Sequence, residues 1–121
     1  MLKQFNKLYV QGDQNVKVPA HLNFGKFILD GLRRNKDNVA FEHAETRYIL
    51  TYRDLAQYAV NLAVLLDDLG ATVGDTVAVG SEKRNEFIAT VLGIVFTGAT
   101  YTPYDLKSGR AYLKHKISIT R

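Results

Sequence analysis

Residues 74–103 read GDTVAVGSEKRNEFIATVLGIVFTGATYTP, and this stretch decides the fold. Gly74-Asp75 signals a turn, and Val77 and Val79 stand in a short run bounded by glycines. Phe87, Ile88, Val91, Leu92, Val95 and Phe96 then recur at three- and four-residue spacing. The pattern predicts a buried strand at 76–80, a polar corner at 81–85, an apolar helix at 86–98 and a second strand at 99–102. That order is a βαβ unit, whose two strands lie parallel. Strand and helix are both apolar on more than one face, as expected where crossover helices put both faces of a parallel sheet indoors. Asn85 is the expected N-cap of the helix, and Gly98 stands where a helix hands over to a strand through a left-handed residue.

Upstream, Thr51 opens the clearest helix of the chain, with Asp54 three residues on as a capping-box partner. Leu55, Ala59, Leu62, Leu66 and Leu69 step by four, three, four and three, which predicts one continuous core stripe ended by Gly70. Residues 38–43 and 47–52 read as two short strands separated by Ala44-Glu45-Thr46, a hairpin spacing that puts Val39 and Phe41 on one face. Asn23 caps an earlier helix whose Phe24, Phe27, Ile28 and Leu32 form a stripe. Its Arg33-Arg34 suits the negative end of the helix dipole. Residues 1–22 hold no sustained period and read as an irregular arm, so that residues 23–121 form one N-terminal α/β subdomain. Downstream, Pro103-Tyr104-Asp105 reads as a turn and Ser108 as the N-cap of a last helix reaching Ile119, with Leu113 and Ile117 on one side and the basic residues pointing away.

The same residues resemble the N-terminal region of the adenylate-forming enzymes: acyl-CoA synthetases, 4-coumarate–CoA ligases and luciferases. In that family a Gly-Asp precedes a strand, a polar corner with Asn follows, the next helix holds a Leu-Gly, and Gly-Ala leads into a strand ending in Pro. Here those positions are Gly74 and Asp75, Asn85, Leu92 and Gly93, Gly98 and Ala99, and Pro103. The upstream order matches too, through Val39, Ala40 and Phe41, then Leu50, Thr51 and Tyr52, Asp54 and Leu55, and Leu69 and Gly70. The resemblance covers residues 23–121 and rests on scaffold residues. It implies a partial parallel or mixed sheet with flanking helices, preceded by a helix and a β-hairpin, as the incomplete N-terminal portion of such an enzyme.

Composition agrees with an ordinary globular chain. At 121 residues with 46% hydrophobic and 23% charged residues it is long enough to bury a core, and collagen, coiled coil and disorder are disfavoured. It has no cysteine, hence neither a disulfide framework nor a thiolate metal site. The start MLKQFNKLYVQGDQN lacks the apolar centre of a secretory signal, and no apolar run is long enough to span a bilayer. The formal charge of +4 sits at one end: residues 1–105 carry 11 Lys/Arg against 12 Asp/Glu, while 106–121 carry Lys107, Arg110, Lys114, Lys116 and Arg121 with no acid. A solvated helix face accounts for this more simply than an anion-binding helix or a nucleic-acid surface.

No catalytic, cofactor-binding or metal-ligating residue is expected in this chain. His21, His43 and His115 are isolated from one another. Tyr48, Tyr52 and Tyr58 fall where strand and helix faces pack rather than where a stacking platform would stand. Ser81-Glu82-Lys83-Arg84 occupies the place where open α/β sheets bind ligands, and is read either as a polar corner or as a contact to a coenzyme A phosphate in an intact enzyme. The resemblance implies ATP, Mg2+ and coenzyme A as cofactors of the parent. The family's Ser/Thr/Gly-rich phosphate loop, its ribose-gripping acidic motif and its C-terminal lysine have no counterpart in these 121 residues. The expectation is therefore a fragment or truncated form of an acyl-CoA synthetase-like enzyme, inactive alone, which pairs with the remainder of the enzyme or with copies of itself. The alternative is a non-enzymatic interaction module on the same scaffold. Nucleic acid and a membrane span are not expected. The parent would be cytoplasmic or peroxisomal and active in fatty acid metabolism, while Ser118-Ile119-Thr120-Arg121 carries no peroxisomal address.

Overall fold

The computed structural model describes all residues except 1, 2, 6–8, 13, 14, 16, 18, 19, 83 and 121. Within the stretch read as an irregular arm, β1 (Lys3–Phe5) and β2 (Tyr9–Gln11) pair antiparallel. The remaining elements are α1 (Phe24–Asn35), β3 (Val39–Glu42), β4 (Ile49–Thr51), α2 (Tyr52–Asp68), β5 (Thr76–Gly80), α3 (Glu86–Thr97), β6 (Thr100–Tyr104) and α4 (Arg110–Ile119). Among the described residues the strands form three two-stranded sheets, of which β5–β6 alone is parallel.

Helix α3 is the hub. It is apolar nearly all round, which suits a helix buried between layers: it packs on α1 and α2 on one side and on β6 on the other. Its Gly93 meets α2 so closely that an added Cβ would stand 2.9 Å from both the Ala59 carbonyl oxygen and the Leu62 Cβ. Gly98 follows at φ 82, the left-handed turn expected of it, and its N–H closes on the Val95 carbonyl. Phe87 of α3 meets Tyr101 of β6 edge to face, with ring centroids 6.2 Å apart. The buried core gathers Leu32, Leu50, Leu55 and Ala89, with Ile28, Tyr52 and Phe96 packed against it.

Two caps hold as expected. Asn23 accepts the Lys26 N–H at 3.0 Å. Thr51 and Asp54 complete a reciprocal capping box, stronger than a lone cap, in which each accepts the other's backbone N–H at 3.1 Å. The strand at 76–80 stands where its spacing placed it, joined to β6 in register from Thr76 opposite Thr100 to Gly80 opposite Tyr104.

Other expectations are corrected. Asn85 does not cap α3: its backbone is already helical, and its amide instead donates to the Tyr48 carbonyl at 3.4 Å, tying the corner to the β3–β4 hairpin. The second strand runs past Thr102 through Pro103, because β6 pairs on one side only and a missing N–H costs nothing on the open side. Ser108 does not cap α4; its N–H donates to the Asp105 carbonyl, Asp105 Oδ1 accepts the Lys107 N–H, and this turn delays the helix until Gly109 takes the cap position. A bulge between Val39 and Phe41 breaks the strand alternation, and both residues stand exposed while Ala40 packs inward.

The apolar stripes are narrower than their periods suggest. On α1 the docking face runs through Gly25, Ile28 and Leu32, leaving Phe24 and Phe27 outside. On α2 Leu55 and Ala59 are buried, Leu62 and Leu66 are half-buried and Leu69 is 74% exposed. Helix α2 has 17 residues and α1 and α3 have 12 each, about 26 Å against about 18 Å, so its last turn overhangs its partners. Nor are the parallel strands buried on both faces: α3 covers the side of Val77, Val79 and Tyr101, while Thr76, Ala78, Gly80 and Thr100 are exposed.

Candidate functional site

The carboxyl ends of β5 and β6 open into a groove of about 790 Å3, the position at which open α/β sheets receive ligands. Strand β5 delivers Val79 and then Ser81 and Glu82, β6 delivers Tyr101 and Tyr104, and α4 delivers Tyr112 and Lys116. Tyr112 and Lys116 are four apart and so face the same way on α4. The Lys116 ammonium lies 5.2 Å from the Tyr104 ring centre and 5.8 Å from that of Tyr112, and it donates to the Pro103 carbonyl. Both distances fall within cation–π range. The basic side of α4 therefore does not point wholly away, as the sequence suggested: Lys116 turns inward over the strand end.

Of the corner residues, Ser81 and Glu82 line the groove, Lys83 lies outside the described residues, and Arg84 stands 4.0 Å from the Glu82 carboxylate on the exposed rim. The Ser81 hydroxyl donates to the Glu82 carbonyl at 2.9 Å, a local turn contact. What sequence reading missed is the aromatic lining, Phe87, Tyr101, Tyr104 and Tyr112. Tyr101 and Tyr104 are three apart in β6 and so stand on opposite faces of the strand, and only the fold brings both together with α4 at the strand's carboxyl end.

The other candidates serve the scaffold. His43 Nδ1 accepts the Thr46 N–H at 3.2 Å inside the hairpin turn. Tyr52 packs on the core, whereas Tyr48 and Tyr58 are half-exposed instead of packed within a face. Their partial burial and mutual contact, with Glu86 and Asp54 nearby, push the Tyr48 phenol above its usual range.

The groove is lined by aromatic rings, by two lysines, Lys116 turned in over the rings and Lys107 exposed, and by Glu82 and Asp105. No group of three His, Cys, Asp or Glu able to hold a metal occurs among the described residues. No helix among them is long and apolar enough to cross a membrane.

Comparison with known proteins points one way. The model of the AMP-binding enzyme family matches residues 30–119. The 4-coumarate–CoA ligase CCL1 of Humulus lupulus is 27% identical over 113 residues, covering 88% of this chain and 21% of the ligase. The luciferase-like enzyme of the mealworm Zophobas morio superposes with a TM-score of 0.80 at 17% identity, over 91% of this chain and 26% of that one. The NpsA N-terminal subdomain of Klebsiella oxytoca superposes with a TM-score of 0.69 at 27% identity, over 79% of this chain and 25% of that one. The chain thus spans about a fifth of the curated ligase. It belongs to the AMP-binding enzyme family and has the fold of the N-terminal subdomain of adenylate-forming enzymes.

Proposed function

We propose that this chain supplies the N-terminal scaffold of an acyl-CoA synthetase-like enzyme, whose whole reaction is ATP-dependent adenylation of a carboxylic acid followed by thioester formation with coenzyme A. The observation that supports this reading best is the β5–α3–β6 crossover with its groove at the strands' carboxyl ends, in a chain whose relatives include a 4-coumarate–CoA ligase. In the intact enzyme Ser81, Glu82 and the Tyr104–Lys116–Tyr112 group form one wall of the ligand region. The ammonium offers a charge to an anionic group such as a coenzyme A phosphate, and the rings offer flat apolar surface. No step of adenylyl transfer is assigned to residues of this chain.

These 121 residues by themselves do not adenylate, because the phosphate loop and the catalytic lysine of the family have no counterpart among them. Pyrophosphate exchange into ATP with a panel of fatty and aryl acids tests this: the expected signal is the blank, and exchange above it would sink the scaffold reading. The partner is the remainder of the enzyme or a second copy. A second reading, an interaction module without catalysis, draws support from the uncovered face of β5–β6 and from Leu69 and Val73, which are 74% and 78% exposed. Light scattering separates the two: self-association through that surface at rising concentration supports the scaffold reading, and a monomer at every concentration supports the module.

A further inference from the structure

Away from the strand ends, a second concavity of about 350 Å3 lies between α1 and α2. Its wall is apolar, made by Leu29 of α1 and by Ala56 and Val60 of α2, all half-buried. Its rim is cationic: Arg33 from the last turn of α1, Lys36 at that helix's end, and Arg53 from the first turn of α2. Two acids act on them: Asp30, itself paired with Lys26, feels the charge of Arg33, and Asp37 pairs with Arg53. Asp37 Oδ1 accepts from Arg53 Nε at 2.9 Å and from Nη2 at 2.8 Å. Neither Arg33 nor Lys36 has an ion-pair partner within 4.0 Å among the described residues. The cleft therefore keeps an excess of positive charge beside an apolar wall.

Basic residues at the end of α1 complement its dipole, but that accounts for Arg33, Arg34 and Lys36 only. Arg53 sits at the opposite kind of helix end, where a cation is disfavoured, and it still points to the same cleft. The backbone amides of that first turn are occupied: Tyr52 N–H donates to the Asn38 carbonyl, Arg53 N–H to the Lys36 carbonyl and Asp54 N–H to Thr51. An anion here would be gripped by side chains: the Arg33 fork suits planar or tetrahedral oxyanions, while Arg53, whose Nε and Nη2 already grip Asp37, adds charge and its remaining N–H.

We propose that the α1–α2 cleft binds a small amphiphilic anion, an organic phosphate or carboxylate whose short apolar body lies on Leu29, Ala56 and Val60 while its head meets Arg33, Lys36 and Arg53. The volume is at the small end of ligand sites, which favours a compact molecule. This site stands apart from the groove described above and does not depend on the function proposed for it.

Titration of the full chain with phenyl phosphate, followed by amide shifts in two-dimensional NMR, tests it. The expected result is saturable shifts at residues 29–36 and 53–60, with weaker binding of inorganic phosphate and of benzyl alcohol, each of which supplies half of the recognition. The double variant Arg33→Gln, Lys36→Gln leaves helix content unchanged because both side chains are exposed, and it weakens phenyl phosphate roughly tenfold. Raising salt weakens the wild type in the same direction. Shifts that map to the β5–β6 groove or to α4, equal affinity for phenyl and inorganic phosphate, or a double variant that binds like the parent would each overturn the proposal.

Discussion

Around α1, α2 and α3 the interior closes on itself, with Leu32, Leu55, Ala59, Ala89 and Ile94 all buried. Around β5, β6 and α4 it does not: α4 buries none of its residues, and on the strand face away from α3 Thr76, Ala78, Gly80 and Thr100 are exposed while Thr102 and Tyr104 are only half-buried. Apolar content does not explain the contrast, since β5 reads TVAVG and α4 ends in ISI. Bonding geometry does. A helix satisfies its backbone internally and needs only a docked stripe, so three helices and a hairpin suffice to enclose a small core. A strand satisfies its backbone through neighbours, and a pair of strands leaves two outer rows of N–H and C=O groups and one bare face. The groove that carries the functional reading lies at the end of that open half, consistent with a surface completed by further structure.

The contrast can be broken experimentally. Ile94, 1% exposed in the closed half, is the most sensitive position: Ile94→Ala lowers stability by about 2–5 kcal/mol in chemical denaturation. A parent-like midpoint would mean that α3 is not the hub. Gly93→Ala follows, at about 1–3 kcal/mol, because the added methyl meets the Ala59 carbonyl and Leu62 at 2.9 Å and one helix must shift. If Gly93→Ala instead stabilises, as alanine does in an ordinary helix interior, the α2–α3 contact is looser than described.

The capping box tests the entry to α2. Thr51→Ala removes the hydroxyl that accepts the Asp54 N–H and costs about 1 kcal/mol. Hydrogen bonds from the Thr51 hydroxyl and backbone hold the Asp54 carboxyl below the usual aspartate range. A depressed carboxyl stabilises the fold above its unfolded value, and that contribution disappears as the pH falls through the lower folded value. Melting temperature measured from pH 7 down to pH 2 should therefore drop on the acid side, and Asp54→Asn should flatten that limb. An unchanged acid limb in Asp54→Asn would remove the box from the account. In the open half, Ile119→Ala, at a residue 66% exposed, changes stability by no more than about 0.5 kcal/mol. A larger loss there would show that α4 is docked, and the comparison would fail from the other side.

Much of this was legible in the residues because the responsible forces are local. Asn23 and the Thr51–Asp54 pair act over three residues, Gly98 answers a backbone angle, and Val77 and Val79 between glycines can form little but a short strand. The family resemblance was legible for the same reason, since it rests on these scaffold positions. The aromatic lining of the groove was not, because Tyr101 and Tyr112 are brought together by a turn at 105–108 that no period announces. The exposure of Leu69 was illegible too: periodicity tells which face of α2 is apolar, and only the shorter length of α1 and α3 tells how far that face is covered.

Sequence alone thus determined the order and kind of the elements from α1 onward, the caps of α1 and α2 and the parallel crossover, each set by contacts a few residues apart. Only the tertiary structure decided which apolar faces meet a partner, that Asn85 ties a corner to a hairpin in place of capping a helix, and that Lys116 turns in over two tyrosine rings. Those outcomes depend on helix lengths and on where distant elements come to rest, quantities no local window contains.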